Sequence, residues 1–289
     1  MARSANIQPR FAFFGTPDRA VMALNVMKHA GMTPALIITQ PDRPQGRRLA
    51  LTPPPAKIWA EANGIPVLQP DDLSDAAFKK ALADGNFDFF IVVAYGKIIR
   101  QEILEIPRFG CINLHASLLP RLRGASPIET AILTDERPAG VTTILMDRFM
   151  DHGPILMQAE VPTPRWPLPA DELAKLLVEK GGELLVRSIE GLASGTLKSV
   201  EQDHGRATIA KKITKEDGLM DLSADPYKNF LKWNAYKTWP KSYIFIGPEK
   251  TRVTITDAAF ENGSFAIKKV IPEGRKEMTW EEFWRGANS

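Results

Sequence analysis

Cysteine is almost missing from this 289-residue chain, in which Cys111 stands alone. A single thiol closes no internal disulfide, which removes the stapled secreted scaffolds and any cysteine-rich zinc module. Histidine is nearly as sparse, and none of His29, His115, His152 and His204 falls in a metal-ligand spacing such as H-E-x-x-H. No apolar run approaches the roughly 20 residues that cross a bilayer. The opening MARSANIQPRF lacks the apolar stretch of a secretory signal. Glycine-rich phosphate loops are missing too: Gly15-Thr16-Pro17 carries neither G-x-G-x-x-G nor a Walker pattern, which argues against nicotinamide, flavin and P-loop chemistry. What remains, at 44% hydrophobic and 25% charged residues, is globular composition. The expectation is a soluble, cytoplasmic protein of one large or two ordinary domains, with no metal and no membrane partner.

The charge is uneven. Residues 1–205 hold 22 Lys and Arg against 23 Asp and Glu, whereas residues 206–289 hold 15 against 11. A basic last third on a neutral body points to an anionic partner, nucleic acid first, or simply to solvated lysines.

Apolar runs alternate with helical patterns through the first half. Arg10–Gly15, Ala35–Thr39, Ile65–Leu68, Phe87–Ala94 and Cys111–Leu114 read as strands. Helices are expected from Pro17, around Ala56–Ala62 and near Asp72–Leu82. Strands spaced by helices indicate βαβ units and a parallel sheet. Val141–Met146 and Ile155–Val161 add strands, and apolar residues three and four apart predict a helix over Ala170–Leu192. Residues 196–212 read as a linker. Beyond it, Pro226–Asn234 is helical, and Ser242–Ile246, Thr251–Thr256 and Ser264–Val270 suggest a small β-rich domain. The expected division is a catalytic domain over 1–195 and a β-rich domain over 213–289.

Chemistry concentrates in Asn113-Leu114-His115. Two positions apart on a strand, both side chains leave the same face, at the end that borders the ligand crevice in parallel sheets. Histidine moves protons near neutral pH, and a side-chain amide donates to an oxyanion. The pair suits acyl-type transfer through a tetrahedral intermediate, although a lone histidine at a strand end is commonly structural. Asp151, in Met150-Asp151-His152-Gly153, is a carboxylate able to orient and charge that ring. Spacing alone reads it first as a turn residue. Cys111, on the same strand face, reads as core.

The segments Phe14–Pro17, Thr39–Pro44, Val93–Ile98, Asn113–Arg121, Gly140–Thr142 and Met150–Gly153, with Trp239-Pro240 and Met278–Phe283 in the tail, resemble the methionyl-tRNA formyltransferase family over nearly the whole chain. The resemblance implies a Rossmann-like, mostly parallel sheet flanked by helices, the formyltransferase fold, with a smaller C-terminal β-barrel (OB-like) domain. It implies formyl transfer from 10-formyltetrahydrofolate to the α-amine of initiator methionyl-tRNA by a monomer. Asn113 would hold the oxyanion, His115 move the proton, and Asp151 hold and charge His115. Ser117, Leu118, Leu119 and Pro120 would line the folate site, with Val92, Val93, Ala94 and Tyr95 as apolar walls. Arg43, Arg47 and Arg48 in the loop Asp42–Leu51, with Lys211 and Lys212 of the basic tail, would meet tRNA; by themselves those arginines read first as a solvated surface loop. Pro154 stands where the tRNA enzymes more often carry an acidic residue, which keeps open a formyltransferase acting on another amine, glycinamide ribonucleotide or a nucleotide-linked amino sugar.

Overall fold

The computed structural model describes residues 9–45 and 50–287; Arg47 and Arg48, assigned above to tRNA, lie outside them. In chain order the elements begin with β1 (Phe11–Gly15), α1 (Asp18–His29), β2 (Leu36–Ile38), β3 (Arg43–Gln45), β4 (Ala50–Thr52), α2 (Pro55–Ala62), β5 (Val67–Leu68) and α3 (Ala76–Asp84). Next come β6 (Phe89–Val93), α4 (Gln101–Leu104), β7 (Cys111–His115), β8 (Arg123–Gly124), α5 (Pro127–Leu133), β9 (Gly140–Leu145), β10 (Ile155–Glu160) and α6 (Ala170–Ala193). The tail supplies β11 (Ile209–Ala210), α7 (Pro226–Ala235), β12 (Tyr243–Ile246), β13 (Thr251–Glu261), β14 (Ser264–Pro272), β15 (Met278–Thr279) and α8 (Trp280–Ala287).

Two compact units result. The first comprises residues 1–123, 140–161 and 175–208; the second gathers 124–139, 162–174 and 209–289. A seven-stranded sheet in the order β10-β9-β7-β6-β1-β2-β5 organises the first. Its pairs from β5 through β7 are parallel, while β9 and β10 run antiparallel at one edge. Every residue of β1 and β6 is buried, which is why both read as unbroken apolar runs. Fully burying such side chains contributes about 1.5–3 kcal/mol each. The order reverses between β1 and β6, and such a switch point opens a crevice at the carboxyl ends of the strands.

Helix ends follow their sequence. Asp18 and Lys28 with His29 suit the opposite ends of the α1 dipole, and Asp75 caps α3 by accepting from Phe78 N–H. In α6, a Cβ on Gly181 would meet Leu114 at 2.6 Å and one on Gly182 would meet Val26 at 2.6 Å. Each glycine costs a free helix about 1 kcal/mol relative to alanine; here they let α6 lie close on β7 and α1.

Cys111 is core, as expected. Its thiol is buried beside the Leu104 carbonyl, and burial pushes its pKa up. A thiolate is the species that alkylates. Maleimide labelling of the native protein should therefore track unfolding rather than reagent concentration, and fast labelling without denaturant would contradict the burial.

The second unit carries the small β-rich part: an antiparallel sheet in the order β12-β13-β14-β15, with Trp233 of α7 and Phe283 of α8 in its core. Asp135 draws three of its segments together, accepting from Trp166 Nε1 at 2.6 Å, Tyr227 Oη at 3.3 Å and Arg137 Nη2 at 3.1 Å. No helix among the described residues is long and apolar enough to cross a membrane.

Candidate active site

Strand β7 brings Asn113 and His115 to one face, with Val92 of β6 beside Asn113 and Thr142 of β9 beside His115. The chain leaves β9 at Leu145, opposite Ile112, and returns at Ile155. Asp151, within that return, reaches both residues. Asn113 Nδ2 donates to Asp151 Oδ1 at 3.3 Å, and His115 Nδ1 lies 3.4 Å from the same oxygen. The other ring nitrogen, Nε2, is 2.8 Å from the Leu122 carbonyl. A carbonyl only accepts, so Nε2 carries a hydrogen, and in the neutral ring Nδ1 is the basic nitrogen. The basic nitrogen thus faces the carboxylate. Asn113 has two amide hydrogens, one aimed at Asp151 and a second to spend elsewhere.

The backbone around these groups is unusual. Asp151 has φ 50° and Leu122 φ 57°. Aspartate tolerates that left-handed conformation, but for a leucine it is a strained outlier, and strain of this kind collects at functional sites. Gly153 explains the Asp-His-Gly sequence: a Cβ there would sit 1.8 Å from the Leu145 carbonyl oxygen. The return passes too close to β9 for any side chain. Gly153→Ala should destabilise the protein by about 1–3 kcal/mol; an unchanged thermal midpoint would contradict that close approach.

The loop expected to line the folate site is held from below. Thr142 Oγ1 donates to Ser117 O at 2.6 Å and accepts from Leu119 N–H at 3.1 Å. Gln158 Nε2 donates to Leu119 O at 2.6 Å. Ser117 and Leu119 are buried, while Leu118 and Pro120 are half-buried. Among the expected walls, Val92, Val93 and Tyr95 are packed into the core and Ala94, at φ 49°, is exposed. Burial pushes the Tyr95 phenol up to about 12, so it stays neutral.

Three motifs interlock at the carboxyl ends of β1, β2 and β6. Thr16 Oγ1 and Gln40 Nε2 both donate to Tyr95 O, at 3.2 and 3.1 Å. Hydrogen bonds from Gln69 and Lys57 hold the Asp42 carboxyl below the usual carboxylate range. Arg43 follows on β3, exposed and paired opposite Thr52 of β4; a β-pair stands where a flexible loop was expected. Lys211 and Lys212 are exposed in the second unit.

A family model described as formyl transferase matches residues 9–189. The methionyl-tRNA formyltransferase of Acidobacterium capsulatum is 36% identical, across 96% of this chain and 96% of that protein. The chain belongs to the methionyl-tRNA formyltransferase family. The same enzyme from Chloroflexus aggregans is 42% identical across 91% of this chain and 84% of that one. Among solved structures, the methionyl-tRNA formyltransferase from Clostridium thermocellum matches this formyltransferase with a TM-score of 0.62 at 17% identity, covering 91% of this chain and 98% of that one. A sugar N-formyltransferase from a Shewanella species gives 0.66, also at 17% identity, covering 87% and 98%. At that identity the likeness speaks to the fold alone. Sequence reasoning did not single out Thr142 or Gln158, which brace the Ser117–Pro120 loop. Each acts through backbone groups far along the chain, and no local spacing marks such a role.

Proposed function

We propose that this chain transfers the formyl group of 10-formyltetrahydrofolate to the α-amine of methionine on initiator tRNA, supplying formylmethionyl-tRNA for translation initiation in the cytoplasm. The observation that carries the reading is the convergence of Asn113 and His115 on one oxygen of Asp151. The nucleophile is the substrate's own amine. As its nitrogen bonds to the formyl carbon, the carbonyl oxygen gathers negative charge, and the free amide hydrogen of Asn113 donates to it. The attacking nitrogen becomes cationic and gives a proton to His115 Nδ1. Asp151 stabilises the imidazolium so formed. When the intermediate collapses, the bond from the formyl carbon to N10 breaks, and N10 takes the proton back from His115. One N–CO bond is exchanged for another, and no oxidant or metal enters the balance.

The loop Ser117–Pro120 and the backbone near Ala94 are the residues assigned to the folate. Arg43, Lys211 and Lys212 are assigned to the tRNA phosphates, contacts that weaken with salt. The test is a panel of acceptors offered with the formyl donor: methionyl initiator tRNA, glycinamide ribonucleotide and a nucleotide-linked amino sugar. Transfer to the tRNA alone is expected; transfer to a small amine without the tRNA would overturn the assignment.

A further inference from the structure

His115 is held between two partners that belong to different stretches of chain, the Leu122 carbonyl on Nε2 and the Asp151 carboxylate on Nδ1. One buried side chain joins both stretches. Gln202 lies in the segment expected to be a linker, yet it is 5% exposed. Its Nε2 donates to Asp151 O at 2.9 Å and to Gly153 O at 2.7 Å. Its Oε1 accepts from Arg123 Nε at 3.1 Å and Nη2 at 2.6 Å. A guanidinium only donates and a carbonyl only accepts, so the amide has one orientation, and all four of its hydrogen-bonding positions are used.

We infer that Gln202 is a positioning residue for formyl transfer, tying the Asp151 backbone carbonyl to the side chain of Arg123, the residue next to Leu122, and so bracing the two stretches that hold His115. Its location is fixed by the Val200 segment, which bridges to Ile155 at the start of β10 through two backbone bonds of 2.7 and 2.8 Å. The clamp continues outward. Arg123 Nη2 donates to His204 Nδ1 at 2.8 Å; the His204 ring stacks on His152 at 4.0 Å and 6°, and His152 Nδ1 is 2.6 Å from Asp147. The return from β9 to β10 is therefore gripped at Asp147, at residue 151 and at residue 153. Asp151 sits in no regular element, so these grips set the distance at which its carboxylate faces His115. Misplacing a reacting group by about an ångström costs on the order of 10²-fold in rate.

This inference rests on the formyl transfer proposed above, and two substitutions in the full chain test it. Gln202→Met removes all four bonds. Gln202→Glu keeps an acceptor for Arg123 but turns the donors to residues 151 and 153 into a carboxylate oxygen that repels their carbonyls, so it retains the Arg123 pairing while releasing Asp151. Both should lower kcat by about 10–100-fold with KM for folate and methionyl-tRNA little changed. In an Asp151→Asn background the same substitutions should add little, because the clamp acts through a carboxylate that is no longer there. A merely structural role would raise KM, or would multiply with Asp151→Asn. An active wild-type enzyme with unchanged kcat in Gln202→Glu, or with multiplying losses, overturns the clamp alone. A wild-type chain that formylates no methionyl-tRNA overturns the function and the clamp with it.

Discussion

His115→Ala should lower kcat for formyl transfer by about 10²–10⁴-fold, the range a positioned general base contributes. The ring is 5% exposed, its Nε2–H is committed to the Leu122 carbonyl, and Nδ1 is left as the basic atom beside Asp151. No other described histidine has that placement: His152 is bonded to Asp147, His204 to Arg123, and His29 to the Asn25 carbonyl. Folate affinity should hold, since the Ser117–Pro120 loop is braced by Thr142 and Gln158 rather than by the ring. Single-turnover formylation of methionyl-tRNA measures the rate, and equilibrium folate binding measures the remainder. A rate within a few-fold of wild type would mean that the proton leaves by another route.

Asp151→Asn is the second large effect, expected at about 10²–10³-fold in kcat. The substitution isolates charge, because asparagine accepts the left-handed backbone that residue 151 adopts. A pair of unit charges near 4 Å interacts by about 4 kcal/mol at an effective dielectric near 20. That interaction exists only while the His115 ring is cationic, so most of it falls on the proton-transfer step, where about 1.4 kcal/mol is tenfold in rate. Asn113 keeps an acceptor in the variant, so the amide proposed for the oxyanion remains in place. Stability should change little, as Asp151 is held through its backbone carbonyl by Gln202. If kcat falls only together with the thermal midpoint, the carboxylate is structural.

The sheet was legible in the sequence because its central strands are buried on both faces. Phe-Ala-Phe-Phe-Gly and Phe-Phe-Ile-Val-Val admit no polar residue. The 24-residue α6 was legible for the opposite reason, its apolar residues recurring over many turns. Helices α4, α5 and α8 escaped notice. Helix α8 is announced by a capping box, in which Thr279 Oγ1 accepts from Glu282 N–H and the Glu282 carboxylate accepts from Thr279 N–H; the signature is present in Thr-Trp-Glu-Glu, but eight residues give it little periodicity. Helix α5 offers seven residues behind Ser126-Pro127. The paired strands Arg43–Gln45 and Ala50–Thr52 were hidden by Pro and Gly, which signal loops more strongly than so short a pair signals strand.

The site was legible in its strand half only. The i, i+2 spacing of Asn113 and His115 fixes their common face. Asp151, 38 positions away, reads from its spacing as a turn residue, and it is one; the left-handed backbone that makes it a turn also aims it at His115. Gln202 had no signal at all. Its four bonds span 49 to 79 positions along the chain, and a lone glutamine between Glu201 and Asp203 reads as solvated.

The central claim is that Asn113, His115 and Asp151 act as a single unit on one carbonyl. Three separate variants and their triple combination, each compared in single-turnover formylation of methionyl-tRNA, test it most directly. Residues that work as a unit are strongly non-additive, so the triple variant should be about as slow as the slowest single one. Losses that multiply across the three positions, or any single variant that leaves the rate intact, would show three independent residues where one centre is claimed.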